Sequence, residues 1–378
     1  MSITRRELLC KSGAAVVSAW VSRALGKAAE VAPLMRDAEA LYERAIVIDM
    51  LADETPDEEG FKFITGSGLT TMSTTLGVRI PESPQGSHML NGWPRDAHIA
   101  DCVQWARFIE AHSTKLLHVR SADDIRRAKR EGKNGVLLNF QNCPIEGRLE
   151  NLDMFYGLGV RQMQLTYNER NELGDGSTER TNAGLSDLGV AAVERMNELG
   201  IIVDTSHSAW ATCADAISFS KKPPIFSHTE CYALSQHPRN KPDELIKALA
   251  DKGGVMGLTT VGPMVTNEGI PSTLNRFLDH IDHVVKLVGV DHVGFGTDTQ
   301  IRGWQTDPKL KESTLARYGE PYYKSSYRFR YPMGTEGLND EHKLKYATAG
   351  LLQRGYGADD ILKILGGNWL RVIGEVVG

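Results

Sequence analysis

The segments IIVDTSHSAW, residues 201–210, and PPIFSHTECY, residues 223–232, decide the interpretation of this chain. In each, a short apolar run ends in Ser-His, giving the pairs Ser206-His207 and Ser227-His228. Each run has the length of a buried strand, so each histidine is expected just past the carboxyl end of its strand. Parallel neighbouring strands would bring both imidazoles to one rim, where α/β folds keep their chemistry. The alternative is two unrelated histidines bonded to loop backbone, but the repeated pattern favours a paired site.

Strand-like and helix-like segments alternate along most of the chain. Seven strands are predicted, at 45–49, 135–140, 160–166, 201–204, 224–226, 255–259 and 292–296, with an eighth candidate at 68–74. Helices are predicted at 34–43, 101–112, 122–130, 149–158, 187–199, 209–219, 242–252, 271–287, 340–354, 358–365 and 368–376. Regular alternation implies a parallel sheet with right-handed crossovers.

Eight strands, and no Gly-rich phosphate loop after the first, predict an α/β fold of the (β/α)8 TIM-barrel type with insertions. A single barrel domain over residues 27–378 accounts for the pattern. The longest insertion is expected at about 300–339, a polar stretch with scattered aromatic residues. Loops of that length are usually functional or disordered.

The amino-terminal residues 1–26 are predicted to be an export signal. TRRELL at 4–9 precedes a weakly apolar segment at 13–21 and a small-x-small site at 24–26, an order typical of twin-arginine signals. This predicts a periplasmic or secreted protein. The apolar segment is too short to span a bilayer, so stable membrane insertion is not expected. The alternative is an amphipathic helix that begins with two arginines by chance.

Composition excludes some classes of partner and site. The 378 residues are 41% hydrophobic and 24% charged, with a net charge of −5, so no basic field points to nucleic acid. Cysteines after the signal stand at 102, 143, 213 and 231, without the CxxC spacing of a zinc–thiolate site. Buried free thiols are the preferred interpretation, with one or two disulfides as the alternative.

Polar side chains follow the predicted strands at the end where a barrel carries its active site. They are Asp53, Gln141, Tyr167, His207, His228 and Asp298. Two imidazoles with one or two carboxylates are a usual set of zinc ligands. Arg239, in the loop after the His228 strand, could grip a substrate carboxylate through its bidentate fork, or form a surface salt bridge.

These motifs resemble those of the membrane dipeptidase (renal dipeptidase) family, zinc peptidases with an amidohydrolase-type barrel. The matching pieces are VDTSHS at 203–208, PIFSHT at 224–229, RN at 239–240, HIDH at 280–283, VGFGTD at 293–298 and GNWLRV at 367–372. The resemblance implies that His207 and His228 bind metal. It also implies that Arg239 holds the substrate carboxyl terminus, that Asp298 handles the water proton, and that the protein is a homodimer.

The chain departs from the family at three positions of the two-metal site. Leu51 stands where the family has a histidine ligand, Gln141 where it has a bridging glutamate, and Tyr167 where it has a histidine near the substrate. Leucine cannot bind zinc, and a neutral amide cannot neutralise two dications. One zinc ion per chain is therefore expected, held by His207 and His228 with Asp298, Asp53 or Gln141. Asp298 and Asp53 are the available bases. Tyr167 could donate to an oxyanion.

Three functions are compatible with these residues. The first is an exported hydrolase that cleaves a dipeptide or similar small amide with a zinc-bound water, using Arg239, Asn168 and Gln141 to bind the substrate. The second is a non-hydrolytic isomerase or tailoring enzyme on the same barrel. The third is a degenerate peptide-binding protein. Metal content and turnover of a dipeptide panel separate the three.

Overall fold

The computed structural model describes residues 28–76, 94–304 and 332–378. Its strands are β1 Ile48–Asp49, β2 Ala52–Asp53, β3 Thr71–Thr75, β4 Leu116–Val119, β5 Asn134–Phe140, β6 Val160–Gln164, β7 Ile202–Asp204, β8 Ile225–Thr229, β9 Val255–Leu258, β10 Val293–Phe295 and β11 Thr299–Gln300. Eight of them form a parallel ring in the order β3-β1-β10-β9-β8-β7-β6-β5, which closes because β5 pairs with β3. The predicted (β/α)8 barrel is confirmed, including the eighth strand near residue 68.

Three short strands were not predicted. Strand β4 pairs with the first half of β5, from Leu116 opposite Asn134 to Val119 opposite Leu137. Strands β2 and β11 form a separate parallel pair beyond the ring, with Gln300 opposite Asp53. This pair lies at the carboxyl ends of β1 and β10, and so belongs to the mouth of the barrel.

Helices connect the strands on the outside of the ring. They are α1 Ala28–Arg44, α2 Glu58–Gly66, α3 Arg95–Ala111, α4 Ala122–Glu131, α5 Glu150–Gly157, α6 Asp187–Leu199, α7 Trp210–Phe219, α8 Asp243–Asp251, α9 Gly262–Val265, α10 Leu274–Val288, α11 Lys343–Gln353, α12 Ala358–Leu362 and α13 Asn368–Val376. Helix α6 has the predicted bounds, since the Ser186 side chain accepts a hydrogen bond from Gly189 N and left-handed Gly200 ends it.

An apolar cluster fills the amino-terminal end of the ring. It joins the first residues of several strands to Trp369 of α13, whose indole N–H donates to Phe295 O at 3.0 Å. A Cβ on Gly294 would lie 2.8 Å from Trp369 Cε2, so this position needs glycine. The apolar end is therefore closed, and polar chemistry is confined to the opposite mouth.

Several predictions fall partly or wholly outside the described ranges. The export signal at 1–26 lies outside them, as do residues 305–331 of the long insertion. The cysteines at 102, 143, 213 and 231 are buried free thiols, which confirms the preferred interpretation. Across the described ranges, no helix combines the length and apolarity needed to cross a membrane.

Candidate active site

His207 and His228 lie together at the mouth of the barrel. His207 follows β7 by three residues, whereas His228 lies within β8, which continues to Thr229 rather than ending at Phe226. Their ring centroids are 4.9 Å apart at an interplanar angle of 60°, and both side chains are buried. The structure thus brings together the two residues that the Ser-His repeats paired.

Each imidazole is oriented through its Nδ1 atom. His207 Nδ1 lies 2.7 Å from Asn168 Oδ1, and His228 Nδ1 lies 2.7 Å from Ser227 Oγ. Neither Nε2 atom has a hydrogen-bond partner among the residues that the structure describes. Burial and the Arg239 charge hold the pKa of both imidazoles well below the usual range, which keeps them neutral. Neutral imidazole with an available nitrogen is the form that binds a metal.

Tyr167 and Asn168 both contact the His207 side chain. The Tyr167 ring stacks on the imidazole with centroids 4.0 Å apart and planes 21° apart. Asn168 is buried, and its Oδ1 also accepts from Ser177 Oγ at 3.1 Å. Asn168 was predicted to bind substrate, but in this structure its side-chain oxygen orients His207. Substrate binding by Asn168 and oxyanion binding by Tyr167 stay predictions.

Arg239 is buried, with only 5% of its surface exposed. Its Nε donates to Ser206 O at 3.4 Å and its Nη2 to His228 O at 3.3 Å. The guanidinium therefore joins the two segments that carry the histidines. The alternative of a surface salt bridge is wrong, because the Arg239 side chain is buried and not at the surface.

Asp298 stands on a strained backbone just after β10, which only β9 separates from β8 in the ring. Its φ of 55° is in the left-handed region, and its N–H donates to Leu51 O at 2.7 Å. Burial raises the pKa of its carboxyl to about 7, and nearby Asp53 adds to the rise while Arg239 opposes it. A carboxyl that titrates near neutrality suits general base catalysis. Asp53 is half-buried beside it, on the β2–β11 pair.

The two altered ligand positions, Leu51 and Gln141, follow strands β1 and β5. Leu51 is buried, with 1% of its surface exposed. Gln141 is buried and its Nε2 donates to Thr75 Oγ1 at 2.9 Å, so its amide takes part in the interior hydrogen bonding. Its predicted contact with substrate stays a prediction.

The mouth offers two imidazole nitrogens to a metal ion. The Nε2 atoms of His207 and His228 are buried and have no hydrogen-bond partner in the described part of the chain, as two ligands of one ion would be. Within the described ranges, no group of three or more His, Cys, Asp or Glu side chains could hold a metal. Catalytic zinc usually has three protein ligands, so this ion would have one fewer.

Sequence reasoning missed the groups that support the site from behind. Asp49 accepts from Thr297 N at 2.8 Å and from Thr297 Oγ1 at 2.7 Å. Lys343 is buried and its Nζ donates to Thr299 Oγ1 and Gln300 O, both at 2.6 Å. Together they hold both flanks of Asp298. In the sequence, the one indication of such a supporting group was Asp49, the polar residue at the end of the first strand.

Two glycines fix the backbone beside His228. A Cβ on Gly257 or on Gly296 would each lie 2.8 Å from the Ser227 carbonyl carbon, and closer still to its oxygen. Glycine within a strand lets neighbouring backbone or a ligand approach closely. For Gly296 the approaching group is the backbone of Ser227.

Comparison with known proteins places the chain in a family. Residues 95–314, more than half of the chain, match the model of the membrane dipeptidase family, peptidase family M19. A dipeptidase of Claviceps purpurea, tcpJ, is 29% identical over 302 residues, covering 78% of this chain and 64% of its own. The chain thus spans less than two thirds of the length of that relative.

Solved structures show the same architecture over nearly the whole chain. An amidohydrolase from Pseudomonas aeruginosa is 33% identical with a TM-score of 0.77, covering 90% of this chain and 98% of that one. The probable dipeptidase PvdM from Pseudomonas aeruginosa is 23% identical with a TM-score of 0.73, covering 91% and 98%. The predicted family is confirmed. The chain belongs to the membrane dipeptidase family, peptidase family M19.

Proposed function

We propose that this protein hydrolyses the amide bond of a dipeptide or similar small molecule with a free carboxylate, using one zinc ion held by His207 and His228. The observation that carries the proposal is the pair of Nε2 atoms at the barrel mouth, neither of which has a hydrogen-bond partner within the described ranges. Family membership supports the reaction class. The buried guanidinium of Arg239 supports a carboxylate on the substrate.

The chain's own residues divide the work of the reaction. Arg239 binds the substrate carboxylate and so orients the amide bond. Asp298 takes the proton from the attacking water, because its pKa of about 7 leaves much of it ionised at neutral pH. Tyr167 donates to the developing oxyanion. A zinc ion, when bound, lowers the pKa of its water to about 7.

Metal content and activity test this proposal in the purified protein. We expect one zinc per chain, lost in His207→Ala. The matched control is His118→Ala, because His118 Nε2 also lacks a partner in the described ranges but lies away from the mouth. It should keep the zinc. Zinc that persists in His207→Ala, or a wild-type protein that binds dipeptide without metal, would contradict the metal site.

The substrate assay uses dipeptides with free and amidated carboxyl termini. We expect cleavage of the free acids, and a large loss on amidation because Arg239 loses its charged partner. Activity should rise with pH through about 7 as Asp298 ionises, and Asp298→Asn should abolish this rise. Equal cleavage of both forms would argue against the role of Arg239.

A rebuilt site tests the interpretation of the altered positions. The double variant Leu51→His with Gln141→Glu supplies the two ligand types that the family has there. We expect it to bind a second metal ion per chain, whereas either single variant should not. One ion in the double variant would show that the backbone no longer permits the pair.

A second candidate is a non-hydrolytic tailoring enzyme or isomerase. It is favoured by Leu51 and Gln141, which remove ligands while Asp298 and Asp53 remain as acid–base groups. It predicts solvent-deuterium exchange at the substrate Cα without cleavage. Peptide binding with neither cleavage nor exchange would favour a degenerate binding protein instead.

The cellular setting is part of the same proposal. We propose export by the twin-arginine route and a homodimeric mature protein. Replacing Arg5 and Arg6 by lysine should leave the precursor inside the cell, and light scattering of the purified protein should give twice the chain mass. Export of the double-lysine variant would overturn the twin-arginine route. A purified protein with the mass of one chain would overturn the homodimer.

A further inference from the structure

Asp204 is a fully buried carboxylate at the end of β7 that accepts five hydrogen bonds. Its Oδ1 accepts from Ser206 N at 3.0 Å, Ser206 Oγ at 2.7 Å and Ser227 N at 3.1 Å. Its Oδ2 accepts from Ser227 Oγ at 2.5 Å and Gln162 Nε2 at 3.0 Å. None of its surface is exposed. It therefore ties together the two Ser-His segments from within the barrel.

Counting hydrogens at Ser227 fixes the state of His228. A serine hydroxyl has one hydrogen, and Ser227 gives it to Asp204, since a carboxylate can only accept. Toward His228 Nδ1, at 2.7 Å, Ser227 Oγ must then accept, so Nδ1 carries the hydrogen. In neutral imidazole the lone pair is consequently on Nε2, the atom that has no partner among the described residues.

A second line of hydrogen bonds ends at the same carboxylate. In this line each group donates to the next one on the way to Asp204. Gln141 Nε2 donates to Thr75 Oγ1, and Thr75 Oγ1 donates to Asn139 Oδ1. Asn139 Nδ2 donates to Ser73 Oγ, Ser73 Oγ to Gln162 Oε1, and Gln162 Nε2 to Asp204 Oδ2. The direction is consistent throughout because the terminal group has no hydrogen to give. Asp204 thus determines the donor–acceptor direction of this line of hydrogen bonds, as well as the direction in which the Ser227 hydroxyl points.

We propose that Asp204 is a positioning residue that fixes the tautomer of His228 through Ser227. Asp204 is fully buried and reaches His228 through Ser227. Replacing its Oδ2 by an amide nitrogen would turn an acceptor into a donor toward Ser227. The Ser227 hydrogen would then point at His228 Nδ1, and the imidazole hydrogen would move to Nε2, where it blocks metal binding.

Nitrogen-15 NMR of the histidine rings in metal-free protein tests this directly. We expect His228 to be the Nδ1–H tautomer in the wild type and the Nε2–H tautomer in Asp204→Asn. The readout needs no activity, so its failure is distinct from a failure of the proposed function. An Nε2–H tautomer in the wild type, or the same tautomer in both proteins, would overturn the proposal.

Zinc affinity, measured by competition with a chelator, is the second readout and rests on the proposed function. Loss of a group that orients a ligand typically weakens metal binding by about 10–100-fold. We expect a loss in that range for Asp204→Asn. An unchanged affinity alongside a changed tautomer would refute His228 as a ligand while leaving the tautomer assignment standing.

Two further variants separate positioning from structure. Asp175→Asn alters another buried carboxylate, which Arg170 and Thr181 hold, and it should leave the His228 tautomer unchanged. If Asp204→Asn fails to fold, Ser227→Ala takes its place in the test, because it removes only the hydroxyl between Asp204 and His228. Ser227→Ala should give a mixture of the two His228 tautomers. A single Nδ1–H tautomer in Ser227→Ala would contradict the role of the relay.

Discussion

Gly296→Ala is the smallest change that should move His228 without altering any polar group. The added Cβ would lie 2.8 Å from the Ser227 carbonyl carbon, closer to its oxygen, and 3.4 Å from His228 Cα. Ordinary contacts between such atoms begin near 3.5 Å. The obstacle is backbone in a closed ring, so no side-chain rotation can relieve it. We expect β8 and the segment after β10 to separate by on the order of 1 Å.

Both stability and activity should respond to that shift. Overpacking of this kind costs about 1–3 kcal/mol in free energy of unfolding. A misplacement of about 1 Å at a catalytic centre can cost about 100-fold in rate. Because His228 moves with Ser227, we expect zinc affinity and kcat to fall together, while KM changes less.

Denaturant unfolding, zinc titration and steady-state kinetics measure the three effects. Gly357→Ala is the matched control, since a Cβ there meets nothing within 4 Å and its φ of −71° suits any residue. The control should unfold at the wild-type denaturant concentration and keep full zinc affinity. A Gly296→Ala protein with wild-type stability and zinc affinity would refute the steric reasoning.

The remaining predictions concern buried charge and the closed end of the barrel. Burial raises the pKa of Glu54 to about 7 from its ordinary 4.5, so its contribution to stability is lost as pH rises through 7. Glu54→Gln should remove this loss of stability, so the Tm of the variant should change less between pH 4.5 and pH 7 than the wild-type Tm does. An equal dependence of Tm on pH in the two proteins would contradict this prediction. Asp53→Asn should lower the pKa of Asp298 and move the acid limb of kcat/KM to lower pH, whereas an upward shift would oppose the assignment. Gly294→Ala should cost about 1–3 kcal/mol by pushing against Trp369, and a neutral effect on the denaturation midpoint would count against this.

The barrel and its paired histidines could be predicted because both follow from local pattern. Apolar strands alternating with amphipathic helices determine the ring, and residues after parallel strands must share one mouth. Strand β4 was missed because LLHV at 116–119 is short and lies between two helices. It gains its place by pairing with β5, a contact that periodicity does not reveal.

The supporting groups could not be predicted, because their partners are distant in sequence. Asp204 looked like one more strand residue, and only the fold shows that Gln162 and Ser227 converge on it. Lys343 lay in a segment predicted as an ordinary helix, yet it is buried against Thr299. A buried polar residue is interpretable only once its hydrogen-bond partners are known.

The short β2–β11 pair has a consequence for how this mouth can change. Its backbone pairing joins the segments that carry Asp53 and Asp298, with Gln300 opposite Asp53. The spacing of the two carboxylates is therefore set by strand register, a quantity that changes only in whole residues. Inserting or deleting one residue in either segment would alter the proton affinity of Asp298 without replacing any charged group. The acid–base character of this barrel is thus adjustable through backbone length as well as through side-chain chemistry.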